Sequence, residues 1–371
     1  VKKSMLTAAL GCALTGLFML GQAATAADLK IGIMVPTTGS EATAGKDMEN
    51  AILLAADEIN QAGGVLGMKI TTTTGDDACD PQQATAAASK LVSADVAAVV
   101  GGYCSGATLP TLKLYGDAGV PFIIAASNST KLIDANQGNA FLVNSTGYDQ
   151  VNTAVELFTS KGANKLAIIH QGDGYSEDLA KLTKEKWSSL GKEVVAYEVV
   201  NKGEQDHSSL VTRIKSKAPD AIFWTAYYAD GALVIKQLRQ AGYRKLIAVG
   251  DGSNSPKLLE IGGKATEGVF CFSNPTVDYL PAAKAFSEAY KKKYDQDPDA
   301  YSSLAYDGMK LMADAIQRAG STDKAAIIKA IAATKDFKGI AGPISFTPKN
   351  TLAHSNFVTL IAKGGKWVLN K

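Results

Sequence analysis

The sequence predicts an α/β protein built as two doubly wound parallel-sheet lobes, joined by a hinge that the chain crosses several times. Short β-branched runs alternate with segments of helical spacing, which requires right-handed crossovers and parallel strands. The alternation comes in two sets, each long enough for an open sheet. The chain has 371 residues, 46% of them hydrophobic, more than one core usually serves.

Apart from Lys30, Leu29 to Val35 is apolar and carries β-branched residues, as a strand buried on both faces should. Met48, Ile52, Ala55 and Ile59 recur at helical spacing and stop at Gly63-Gly64. Further strands are expected at Lys69–Thr74, Val96–Val100 and Pro121–Ala125. A Gly-containing stretch, Asn144–Asp149, marks a break. The rhythm resumes with strands at Lys165–His170, Glu193–Val200, Asp220–Ala226 and Leu246–Val249, with helices such as Ser176–Leu190 and Leu233–Ala241 between them. After a second break at Asn274-Pro275-Thr276 come helices at Ala282–Tyr294 and Ser302–Ala319. Strands at Pro343–Phe346, Phe357–Ala362 and Trp367–Leu369 close the chain. A tail that comes after both sheets implies that the chain recrosses between lobes. The two halves share a rhythm but no clear sequence identity.

Composition narrows the function. Lys plus Arg is 38 and Asp plus Glu 36, with no basic block beyond Lys291-Lys292-Lys293, so no nucleic acid partner is expected. Residues 1–26 read as a cleaved export signal: Lys2 and Lys3, an apolar run from Met5 to Leu20, then the small-x-small site Ala24-Thr25-Ala26. The run is too short for a membrane anchor, and Cys12 lies within it. Cleavage leaves Cys79, Cys104 and Cys271, and in an oxidising compartment two of these should pair. Cys79 and Cys104 each come after a predicted strand and can share a sheet rim. Cys271, inside Gly268-Val269-Phe270-Cys271-Phe272, reads as a buried core thiol.

In open α/β sheets the ligand lies beyond the carboxyl ends of the strands. Those ends carry Gly101-Gly102-Tyr103-Cys104-Ser105-Gly106 and Ala126-Ser127-Asn128-Ser129-Thr130 in the first set. In the second they carry Gly172-Asp173-Gly174-Tyr175, Tyr227-Tyr228 and Asp251. Small hydroxyls and turn amides on one side, aromatics and an acid on the other, suit a zwitterion. Each also has a plainer use: Ser105 as a helix cap, Ser127–Thr130 as a solvated turn and Asp251 as a turn residue between glycines, and the tyrosines as packing. His170 reads as a packed or hydrogen-bonded imidazole. Three isolated histidines and no Cys-x-x-Cys point away from a metal site. Gly-x-Ser-x-Gly, a Walker loop and a Gly-x-Gly-x-x-Gly turn after the first strand are all missing, so neither catalysis nor a cofactor is expected.

Asp76-Asp77-Ala78-Cys79-Asp80-Pro81, Cys104-Ser105 after a Gly-ending strand, and Ala167-Ile168-Ile169-His170 with Tyr175-Ser176-Glu177 resemble the leucine/isoleucine/valine-binding proteins, over essentially the whole chain after the export segment. These are two-lobed periplasmic solute receptors of ABC importers. The resemblance implies a Cys79–Cys104 disulfide. It puts Ser105, Ala126, Ser127 and Asn128 on the ligand carboxylate, Tyr227 and Asp251 on its ammonium, and Tyr175 over the ligand. Asn128 stands where the family often has threonine, and Asp251 where the branched-chain amino acid receptors have glutamate. The side-chain pocket departs further: an aromatic wall position falls on Ala44, a leucine position on Tyr103, and Tyr301 keeps the family's aromatic.

The expected product is therefore an exported, monomeric receptor that binds a small amino acid between closing lobes and delivers it to an inner-membrane ABC permease. Its lobes would comprise 27–146 with about 276–340, and 147–275 with about 341–371. The alternatives are an aliphatic or aromatic carboxylate, amide or urea-like ligand on the same scaffold, and a sensory ligand-binding protein in place of a transport subunit. An exported hydrolase ranks last, since no nucleophile has a visible base.

Overall fold

A computed structural model describes residues 28–370; the expected export segment, 1–26, lies outside the described residues. The first half runs β1 (Leu29–Val35), α1 (Ala42–Gln61), β2 (Ile70–Asp76), α2 (Pro81–Ser93), β3 (Ala98–Gly101), α3 (Ser105–Asp117), β4 (Phe122–Ile124), α4 (Lys131–Ala135) and β5 (Ala140–Leu142). These strands form a five-stranded sheet, all parallel, in the order β2-β1-β3-β4-β5. The chain then builds α5 (Gly147–Ser160), β6 (Lys165–His170), α6 (Ser176–Ser189), β7 (Glu193–Val199), α7 (Ser208–Ser216), β8 (Ala221–Trp224), α8 (Tyr228–Gln240), β9 (Leu246–Val249), α9 (Pro256–Gly262) and β10 (Phe270–Ser273). It ends with α10 (Lys284–Tyr294), α11 (Ser302–Ala319), α12 (Lys324–Ala332), β11 (Phe337–Gly339), β12 (Gly342–Ile344), β13 (Val358–Lys363) and β14 (Lys366–Leu369).

The second sheet has seven strands in the order β14-β13-β10-β9-β8-β6-β7. Its five parallel strands repeat the connectivity of the first sheet, and β13 and β14 extend it in antiparallel fashion. In both sheets the winding reverses beside the first strand, between β1 and β3 and between β6 and β8. A ligand crevice belongs at such a reversal. Residue order shows this repeat only as a shared rhythm, because the connectivity is kept without residue identity.

Burial explains the strand patterns. β3, and β1 apart from exposed Lys30, are buried on both faces and carry Ile, Val and Met, whereas β2 is an edge strand whose four threonines are exposed or half-buried. Chemistry at the ends fixes several helices. Asp80 accepts from Gln82 N and Gln83 N with Pro81 in the first turn of α2, and Thr146 and Asp149 close a capping box on α5.

The Asp76-Asp77-Ala78-Cys79-Asp80 run works as a loop clamp. Ala78 and Cys79 take positive φ angles of 46° and 56°, a costly region for non-glycine residues. Their amides donate to Asp76 Oδ1 (3.0 Å) and Asp77 Oδ1 (2.8 Å). Asp76 also accepts from Thr37 N and Thr38 Oγ1 at 2.8 and 2.6 Å, holding the β1–α1 loop beside it. Cys79 is then in place to bond Cys104 at the head of α3, while Cys271 is free and buried.

Some boundaries differ from the expected ones. The helix expected from Leu233 begins at Tyr228, and Pro281–Ala283 form a 3-10 turn before α10. The short β5, lying between Asn139 and Val143, was not among the expected strands. Pro343–Phe346 does not join the closing strands; β12 there pairs only with β11. Phe346 stacks on Phe141 at 5.2 Å, and Asn350 O accepts from Leu142 N at 2.9 Å. The chain therefore stays with the first sheet through this stretch, whereas the sequence expectation assigned about 341 onward to the second lobe.

The chain passes between sheets after β5, after β10 and before β13. Two of these passages are tied together, since Asn356 N donates to Ser145 Oγ at 2.7 Å. Replacing Cys79 and Cys104 together with serine is expected to lower unfolding stability by about 3 kcal/mol. Urea melts of parent and variant check this, and an unchanged midpoint would remove the disulfide from the account of stability.

Candidate functional site

Four helices start at the crevice between the sheets. Cys104, Tyr175, Tyr227 and Tyr301 are the N-cap residues of α3, α6, α8 and α11. Strand ends place Cys104, Tyr175 and Tyr227, whereas Tyr301 comes after α10; the helices that begin at all four fix their backbone, so the side chains project from rigid supports.

At the centre lies Asp251, in the 3-10 turn after β9 and 2% exposed. Its Oδ1 accepts from Tyr175 Oη (2.7 Å) and Gln150 Nε2 (3.0 Å). Its Oδ2 accepts from Asn128 Nδ2 (2.8 Å) and Asn144 Nδ2 (3.2 Å). All of these donors are neutral. Burial raises the Asp251 pKa above the ordinary carboxylate value, and the hydrogen bonds from Tyr175, Gln150, Asn128 and Tyr301 offset part of that shift.

A tightly closed cavity of about 10 Å³ brings together Tyr103, Ser105, Ala126, Asn128, Tyr175, Tyr227, Asp251 and Tyr301, all expected from the sequence, and adds Gly252. Its rings are contiguous. Tyr103 lies 5.9 Å from Tyr227 and 5.5 Å from Tyr301, and Tyr175 lies 5.4 Å from Tyr227. Ser105 Oγ accepts from Asn128 N and Ser129 N, each at 3.2 Å. Two expected residues fall outside the lining. Ser127 Oγ pairs with Thr108 Oγ1 at 2.8 Å, and Ala44 is buried in the core. His170 is a packed imidazole: its Nδ1 accepts from Gly172 N at 3.2 Å and its ring lies 4.8 Å from Tyr197. A larger concavity lies on the outer surface between α8 and α9, lined by Lys236, Arg239, Arg244 and Lys264, away from the strand ends.

Sequence reasoning missed Asn144 and Gln150. Both lie just past β5, and a search of strand ends cannot flag them when that strand goes unread. It also missed the contacts that close the crevice. Asp178 on α6 accepts from Ser129 Oγ (2.8 Å), Thr130 N (2.7 Å) and Thr130 Oγ1 (3.0 Å). The backbones of Gly106 and Gly174 also meet there: a Cβ on Gly174 would stand 3.0 Å from Gly106 Cα. Gly174→Val should hold the lobes apart, read as a larger radius of gyration by solution X-ray scattering. Equal radii for parent and variant would show that this contact does not limit closure.

Buried acids set a pH dependence. Glu41, Asp77 and Asp307 are each pushed up to about 7 by burial. The folded protein therefore holds protons that the unfolded chain has released, and stability falls as pH rises from about 4 through 7. His170, held low by burial, acts the other way as a single group. Asp76 and Asp220, whose pKa values are lowered, lose their contribution only below the ordinary carboxylate range. The thermal midpoint should be higher at pH 5 than at pH 8, measured by calorimetry in matched salt. A flat or rising profile would contradict the assignment.

Residues 28–366 match the family described as periplasmic binding protein. The chain is 31% identical to the Leu/Ile/Val-binding protein homolog 1 of Brucella suis over 342 residues, 91% of each chain. It is 29% identical to the leucine-, isoleucine-, valine-, threonine-, and alanine-binding protein of Pseudomonas aeruginosa, covering 89% of this chain and 88% of that one. Among solved structures, a leucine-binding protein from Thermotoga maritima superposes with a TM-score of 0.86 at 29% identity, over 92% of this chain and 98% of the other. The branched-chain amino acid transporter substrate-binding protein of Streptococcus pneumoniae, in complex with isoleucine, gives 0.83 at 28% identity, with coverage of 92% and 98%. With twin sheets wound alike, a shared crevice at their reversals and a match along nearly the whole described chain, this protein belongs to the periplasmic binding protein family, a family of solute receptors and not of enzymes.

Proposed function

We propose that the chain is the substrate-binding subunit of an ABC importer, exported to the periplasm, monomeric, and specific for a small α-amino acid that it passes to a membrane permease. The observation that carries this reading is Asp251, a buried carboxylate held only by neutral donors from both sides of the crevice. An ammonium satisfies such a group better than amides do, because it adds direct charge–charge attraction, which is strong in a dry site, to the hydrogen bond. The relatives whose names specify leucine, isoleucine and valine support the amino-acid class.

In this reading Ser105 and the turn from Ala126 to Asn128 receive the ligand carboxylate on the first lobe. The ligand ammonium displaces the Asn128 amide from Asp251. Closure brings Tyr175 and Tyr227 over the ligand and excludes water, which strengthens each polar contact. The lobes would be 27–146 with about 276–340, and 147–275 with the end of the chain, the stretch up to Ala353 going with the first.

A second reading keeps the fold and takes a neutral amide or urea-like solute. Its support is the raised Asp251 pKa, which favours a protonated acid able to meet a neutral partner. Calorimetric titration of Asp251→Asn separates the two. Loss of about 2–5 kcal/mol of binding for α-amino acids is expected if Asp251 meets a buried ammonium. Undiminished affinity would discard the ammonium site, and tight binding of simple amides by the variant would favour the second reading.

A further inference from the structure

Glu41 is a second buried acid at the crevice, and the amino-acid reading leaves it unused. It lies past β1 at the winding reversal of the first sheet and is 1% exposed. Its Oε1 accepts only from Ser40 Oγ, at 3.1 Å, and its Oε2 has no partner among the described residues. A residue at the N-cap of α1 normally caps the helix, yet this side chain makes no capping bond. Its local structural duty is therefore absent, while an unpaired buried carboxyl oxygen is costly to keep.

The loop that carries Glu41 is bonded to the head of α8: the Tyr228 hydroxyl donates to Ser40 O at 2.9 Å, one residue past Tyr227 of the cavity lining. A charge on Glu41 adds to the rise in the pKa values of Tyr103, Tyr227 and Tyr228. The charge of Asp251 acts on Tyr175, Tyr227 and Tyr301. Both carboxyls thus contribute to the raised pKa of Tyr227, and the rings of Tyr175, Tyr227, Tyr103 and Tyr301 run contiguously from the Asp251 side of the cavity. The cation that acts on Glu41 is Lys202, on an exposed stretch of the other lobe, where Asp173 and Asp230 oppose it.

We propose that Glu41 is a specificity residue that receives a second positive group, so that the preferred ligand is a basic α-amino acid whose aliphatic stem carries an ammonium or guanidinium. The proposal rests on the amino-acid reading above. The ligand's α-ammonium meets Asp251, its stem lies along the tyrosine wall, and its distal cation meets the open Oε2 of Glu41. Aromatic faces favour such a cation as well as its stem. An aliphatic ligand would leave Glu41 buried and unpaired, which works against leucine or isoleucine here.

The test is calorimetric titration of the ligand-stripped protein with lysine, ornithine and arginine against norleucine and leucine, repeated with Glu41→Gln. Lysine should bind the parent protein about tenfold or more tightly than norleucine, its neutral analogue of similar stem, as expected for a hydrogen bond to a buried charge. Glu41→Gln should collapse that preference to about twofold or less. Equal affinity of the parent for lysine and norleucine would overturn the proposal and leave the amino-acid reading standing, and so would a lysine preference that survives Glu41→Gln. Absence of binding by every α-amino acid would instead overturn both. The comparison within the parent protein needs no variant, so a poorly folding Glu41→Gln does not spare the proposal.

Discussion

The closed crevice depends on one buried carboxylate. Asp251 gathers an amide from the first lobe's turn, two from the passage after β5 and a phenol from the head of α6. These partners come from separate parts of the chain. One acid therefore registers both sheets and the hinge against one another. A buried charge works this way only if every lone pair is met, since an unmatched one costs more than the bonds it forgoes. The same demand suits Asp251 to exchange with a cationic group, because the amides that hold it are neutral and one of them, on Asn128, reaches across from the opposite lobe.

The rest of the site comes from how two equivalent sheets are wound. Each reverses its strand order beside its first strand, and the two reversals face each other across the crevice. Helices begin there, so their first residues, and not their middles, line the cavity. The Asp76–Asp80 clamp serves this geometry from outside the cavity: it holds two left-handed residues, pins the β1–α1 loop that carries Glu41, and sets Cys79 against Cys104. Its acids do structural work beside the site, while Asp251 lines the cavity and Glu41 is buried in the loop bonded to the head of α8.

Much of this was legible in residue order. Hydrophobic spacing located the strands of the parallel cores, because strands sealed on both faces must be continuously apolar. The rule that ligands lie past strand ends then selected Tyr103, Ser105, Asn128, Tyr175, Tyr227 and Asp251. Errors came where that logic had no purchase. Three-residue β5 is too short for any period, so Asn144 and Gln150 went unnoticed. Pro343–Phe346 has strand composition, but its partner is the neighbouring β11 and not the second sheet. Ser127 has the right place in the turn, yet its hydroxyl is taken by Thr108.

By itself the sequence determined the fold class, the pairing partners available to its cysteines and the stretch of each turn from which a ligand contact could come. These are local properties, set by burial period and by what a turn will tolerate. Only the tertiary structure decided that the two sheets share one connectivity, that Asp251 is buried among neutral donors, and that Glu41 is buried with an oxygen unpaired among the described residues. Burial and hydrogen-bond satisfaction belong to contacts between residues far apart in the chain. Asn128 and Asp251 are 123 positions apart, a separation over which residue order carries no trace of contact.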